Sequence, residues 1–160
     1  MEKSIVEGLR RQFESSSQMI KEAIQNVPDE RWHDGVGEWF YSYTAYHIVE
    51  TMDFYSRNSP DGMKWGERAG FVWSKSIDIK SEVLPKITKK TVSDYLEDAL
   101  SSLKNSFKSI NIKKLDEQDG FDWFPSKFEK LLYLLRHNMH HTGELCKTLR
   151  DWDCKRVTWT

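Results

Sequence analysis

This chain of 160 residues predicts an all-α fold, a four-helix bundle. Three observations carry that expectation. Apolar residues recur at three- and four-residue steps through four long segments. Clusters such as Val27-Pro28-Asp29 and Asn58-Ser59-Pro60-Asp61-Gly62 fall at the boundaries of those segments. No stretch alternates apolar and polar residues as a convincing strand would. Amphipathic helices of about four to seven turns bury their apolar faces most simply against one another.

The first helix spans residues 3–26, with Ile5, Leu9, Phe13, Met19, Ile20, Ala23 and Ile24 on one side. Pro28 ends it, because the residue before a proline is pushed out of helical conformation. Residues 30–38 carry two glycines and read as a loop. The second helix runs from about Glu38 to Ser56. Residues 59–88 lack periodicity but hold Trp65, Phe71 and Trp73. They are expected to form a long ordered connection with a short helix, as a crossover between parallel helices would need. The third helix begins near Thr91, with Val92, Leu96, Leu100, Leu103 and Phe107 in register. Thr91 and Asp94 resemble a capping box. Polar residues 111–120 follow, and a fourth helix runs from about Pro125, suited to a first turn, to Asp151.

The length suits one domain over residues 1–160, with a core large enough to need no staples. A formal net charge of -1 gives no reason to expect nucleic acid or an acidic membrane surface as a partner. Nor does any run approach the roughly 20 apolar residues that span a bilayer. Cys146 and Cys154 stand about two turns apart if helical, too far for a disulfide. The first residues lack the apolar region of a secretion signal. Together these features predict a reduced, cytoplasmic protein. The seven Trp, eight Phe and six Tyr suit a core of large side chains, or the wall of a pocket or subunit interface.

Chemistry concentrates in His137-Asn-Met-His-His141-Thr-Gly-Glu144. On a helix, His137 and His141 lie one turn apart and can grip one metal ion. The wheel puts Phe128, Leu131, Leu132, Leu135, Met139, Thr142, Cys146 and Leu149 inward, with Leu134 and Leu145 on one edge. His141 lies roughly 20° beyond that edge and His137 roughly 40° further round. His140 points roughly 60° further out, which makes it a bystander, although it too is within a turn of His137. On the second helix His47 falls on the inward face, beside Tyr43, Thr44 and Thr51. Alone it would read as a core histidine bonded to Tyr, Thr or Glu50. With two more histidines facing it, a three-imidazole metal site becomes the better reading. No Glu follows the first histidine, so the His-Glu-x-x-His of zinc proteases is excluded. His33 reads as surface.

These residues resemble the DinB/YfiT-like superfamily of bacterial helical proteins. There one histidine comes from the second helix and two, four residues apart, from the last, often as His-x-x-His-His-x-Gly-Gln/Glu. The counterparts are His47, His137 and His141, followed by Gly143 and Glu144. The likeness extends over the helix order, the Pro-Asp-Glu-Arg-Trp turn at 28–32 and the long connection. Thr142 stands where the family often has Arg, and Glu144 where it often has Gln. The resemblance implies an up-down-down-up bundle, a divalent metal ion (zinc or nickel) on the three histidines, and a homodimer. It also implies a small-molecule substrate, since members include S-transferases that use thiols such as bacillithiol and isomerases that use mycothiol.

Three protein ligands leave a coordination position open, which favours catalysis over a closed structural site. A divalent ion lowers the pKa of a bound water and holds a thiol as thiolate. A metal-dependent thiol S-transferase or hydrolase is therefore expected, with Glu50 and Glu144 as candidates for orienting a ligand or acting as base. The alternative is a non-enzymatic metal-binding bundle with a structural, sensory or stress-response role.

Overall fold

A computed structural model describes residues 2–36, 39–70 and 85–160. The fold is all-α, with helices α1 (Glu2–Asn26), α2 (Tyr41–Ser56), α3 (Lys89–Lys108), α4 (Ile112–Asp116) and α5 (Lys127–Asp151). Before α2 the chain makes one tiny antiparallel ladder, β1 (Gly35–Val36) with β2 (Trp39–Phe40). That ladder delays the start of α2 to Tyr41; Glu38, the expected start, lies outside the described residues. Phe71 and Trp73, and most of the expected connection, also lie outside them. The described part of the connection contains a single 3-10 turn, Glu67–Ala69, between Gly66 and Gly70 at φ 84° and 82°.

Local hydrogen bonds set the helix starts, and two expectations are corrected. Thr88, not Thr91, caps α3: its hydroxyl accepts from the Thr91 N–H. Ser126 caps α5 by accepting from the Glu129 N–H, so Pro125 stands outside the helix rather than in its first turn. Asn111 likewise caps the short α4, which falls in the stretch expected to be a polar linker. α5 ends as Cys154 N–H reaches Leu149 O at 2.8 Å and Asp153 turns to φ 54°, a left-handed stop. Cys146 and Cys154 are both free thiols.

The long helices are tied in pairs. α1 meets α3 through the rings of Phe13 and Phe107 (5.7 Å) near one end and Lys21 with Glu97 (2.6 Å) nearer the other. α2 meets α3 where the Tyr95 hydroxyl donates to Asp53 at 2.9 Å and the Tyr46 and Tyr95 rings stand 5.8 Å apart. The Tyr41 hydroxyl at the start of α2 donates to Ala23 O near the end of α1. α5 meets α2 from Tyr55 with Tyr133 (5.2 Å) down to the histidines. After α5 the chain returns along α1: the Thr158 N–H donates to Glu22 at 2.8 Å, and the Thr160 hydroxyl donates to Ser15 O. Among the described residues no helix is long and apolar enough to cross a membrane.

The core takes in the expected residues of α1 except Ile5, which is exposed. On α5 the buried line is Leu131, Leu134, Asn138, Thr142, Leu145 and Leu149, while Phe128 (38%) and Leu132 (43%) are exposed. The inward face is therefore turned roughly 60° toward the histidines relative to the apolar stripe. Leu134 and Leu145 stand at its centre, not its edge. Polar Lys130, Asn138 and Thr142 complete it, which is why counting apolar residues misplaced it. A second aromatic cluster of Phe54, Phe121 and Phe124 packs with Tyr55, Trp65 and Tyr133 where α2 ends and α5 begins. Gly120 is required there: its N–H donates to Asn58 O at 2.7 Å, and a Cβ would lie 2.7 Å from that oxygen.

Candidate metal centre

α2 is buried on most of its circumference, so His47 reaches α5 from inside the helix packing. The rotation of α5 brings His137 and His141 onto it. His47 Nε2 and His137 Nε2 stand 3.0 Å apart. The three rings form a nearly equilateral triangle, with centroids 4.9, 4.9 and 4.7 Å apart. One ring nitrogen from each lies within 4.8 Å of the others. Nitrogens sharing a tetrahedral zinc ion stand roughly 3.3 Å apart, from bonds of about 2.0–2.1 Å. The donor set and its spacing therefore fit a divalent metal ion.

Electrostatics prepare the rings for that use. Burial first, then His137 and His141, hold the His47 pKa down to about 3. Burial first, then His141, holds the His137 pKa down to about 4. Both are neutral at pH 7 and keep a lone pair for a cation. In the unfolded chain each takes a proton near 6.5. The fold favours the neutral rings, so stability is full above that pH and falls as pH drops through the window toward the folded values. Between pH 7 and pH 5 the metal-free protein is expected to lose about 2 kcal/mol of stability through His47, and less through the more exposed His137. Urea titrations in chelator at both pH values check this. A flat profile, or a slope undiminished in His47→Leu, contradicts it.

The remaining sequence candidates separate by position. Glu144 Oε2 stands 2.7 Å from His141 Nδ1, so this carboxylate orients a ring of the triad. His140 is exposed (68%), with Nε2 3.6 Å from the other Glu144 oxygen, and belongs to a second grouping with His141 and Glu144. Glu50 is buried (1%) and accepts from the Tyr46 hydroxyl at 2.8 Å and the Gly66 N–H at 2.6 Å. It ties the connection after α2 to the body of the helix. His33 is half-buried rather than surface, with Nδ1 3.2 Å from Ser42 Oγ and its ring edge-on to Trp32.

Two neighbours escaped the sequence reading. Tyr133 lies one turn before His137 and stacks on it at 6.3 Å and 26°. The Arg136 guanidinium covers the Tyr133 ring at 5.5 Å. Tyr133 with Tyr55 and Phe124 makes an aromatic wall at one side of the triad. The four-residue step from Tyr133 to His137 was the available signal. Asn138, buried beside His137, gave none, because a polar residue between histidines reads as surface. No family model, curated protein or solved structure matches the chain.

Proposed function

We propose that the chain is a DinB/YfiT-like protein in which His47, His137 and His141 hold a divalent metal ion, zinc or nickel. In this reading it is a metal-dependent thiol S-transferase or hydrolase acting on a small molecule, and a homodimer. The carrying observation is the convergence of three imidazoles from two helices, two of them held neutral by burial. An up-down-down-up bundle belongs to the same proposal. It is supported by the pairing of α1 with α3 and of α5 with α2 in opposite senses, and by the start of α2 beside the end of α1.

When bound, such an ion lowers the pKa of a coordinated water or thiol and so supplies a nucleophile near neutral pH. The three rings offer nitrogen donors and leave further coordination open to solvent or substrate. Glu144 accepts at His141 Nδ1, across the ring from Nε2, and so selects the tautomer with a free Nε2 lone pair. That placement makes Glu144 an orienting group rather than the base at the reacting atom. Tyr133, itself packed on Tyr55, covers one face of the His137 ring.

The test combines loading and turnover. Protein stripped with chelator and reloaded with zinc or nickel is assayed with bacillithiol, other small thiols and a chromogenic electrophile. Uptake of about one ion per chain, with thiol consumption or hydrolysis that appears only on loading, is the expected result. Turnover that persists unchanged in stripped protein rules the mechanism out.

A further inference from the structure

Two rings of the triad on the same helix are treated differently. His141 Nδ1 meets a carboxylate at 2.7 Å, whereas His137 Nδ1 is buried without a hydrogen bond. The next residue, Asn138, is fully buried (0%), and neither its Oδ1 nor its Nδ2 has a partner. Its backbone carbonyl is already taken by the Thr142 hydroxyl at 2.6 Å. Thr51 Oγ1, one turn after His47, is the fourth such atom. Among the described residues, the buried side-chain polar atoms without a partner all belong to His137, its neighbour Asn138, or Thr51 on the helix that carries His47.

A buried amide with unmet donors and acceptors is destabilising, because each group has given up its hydrogen bonds to water. Stability of the metal-free chain does not explain it, since leucine would fill the position without that cost. Metal ligation does. A histidine that coordinates through Nε2 carries its proton on Nδ1, and an acceptor on that proton fixes ring and tautomer. We propose that Asn138 is the positioning residue for His137: its Oδ1 accepts the Nδ1–H when Nε2 holds a metal ion, the part Glu144 plays for His141. The soft terminal torsion of asparagine lets the amide turn to make this bond without backbone movement. Being neutral, the amide does so without burying an unpaired charge. This inference rests on the metal reading above.

Asn138→Leu and Asn138→Ala test it through zinc affinity, by competition with a chromophoric chelator, and through the melting temperature of the stripped protein. The expected result is zinc affinity lowered about 10- to 100-fold with the stripped Asn138→Leu protein melting no lower than wild type. The visible spectrum of the cobalt-loaded variants is expected to change, and Asn138→Asp, which keeps an acceptor, to hold affinity within a few-fold of wild type. Unchanged zinc affinity in both the leucine and alanine variants overturns the proposal. So does a loss that only tracks a fall in stripped-protein stability. If the wild type takes up no zinc, nickel or cobalt, the metal reading falls and carries this one with it. If the wild type binds and the variants bind equally, this one falls alone.

Discussion

Replacing His47, His137 or His141 with alanine is expected to weaken metal binding about 100- to 1,000-fold while the helical content stays unchanged. The magnitude follows from apparent binding energies of about 10–16 kcal/mol shared over four ligands in zinc peptides, so about 2.5–4 kcal/mol for each ligand. Helical content survives because the rings stand at a half-buried seam, while the core is carried by residues such as Ile48, Met52, Leu96, Leu134 and Leu145. His140→Ala serves as the control, since that ring is exposed and its Nε2 stands 3.6 Å from Glu144 rather than in the triad; its affinity should change by no more than a few-fold. Metal content after gel filtration, competition titration and far-UV circular dichroism read the outcome. A His140→Ala loss equal to that of His137→Ala would mean that the wrong ring has been placed in the triad. Collapse of the fold in His47→Ala would move the site from an open centre toward a structural one.

Asp119→Ala is expected to destabilise the protein by about 3–5 kcal/mol, whereas Lys130→Met should change stability by about 1 kcal/mol or less, or raise it. Lys130 is 1% exposed in the first turn of α5. Its ammonium donates to Arg57 O at 2.7 Å and to Asp119, and lies 4.2 Å from the Phe121 ring centroid. Burial pushes its pKa down and Asp119 pulls it back up. Removing Asp119 leaves a buried cation without its counter-charge, while removing Lys130 leaves a carboxylate that retains Lys127 at 4.0 Å and backbone donation from Phe121. The asymmetry between the variants is the diagnostic, read by urea denaturation. Equal, small effects would mean that water reaches the pair in solution. The clasp matters to the site because it fixes the end of α2 against the start of α5, the same two helices that bring the three imidazoles together.

The four long helices were legible in the chain because helix formation is local. The steps of Ile5 to Ile24 and of Val92 to Phe107, and the stop at Pro28, depend on residues within a turn or two of one another. So does the spacing of His137 and His141. The finer starts were less legible, since Ser126 with Glu129 and Thr88 with Thr91 could be ranked only by knowing which N–H groups lacked partners.

The inward face of α5 was a different problem. Phe128 and Leu132 are apolar and exposed; Lys130, Asn138 and Thr142 are polar and buried. Composition along one helix ranks transfer from water, but burial depends on what the neighbouring helix offers. A lysine can be buried where Arg57 O and Asp119 await it, and a histidine where another histidine faces it. The same limit separated the two candidate carboxylates. Each stands three residues after a triad histidine, yet Glu144 turns to His141 and Glu50 to Tyr46 and Gly66. Sequence alone determined the four long helices, the paired histidines of the last helix and the residue types able to bind a metal. Packing between helices determined which face turns inward, which ring nitrogens meet, and that Asn138 is buried beside His137. These depend on partners distant along the chain, and no local period encodes them.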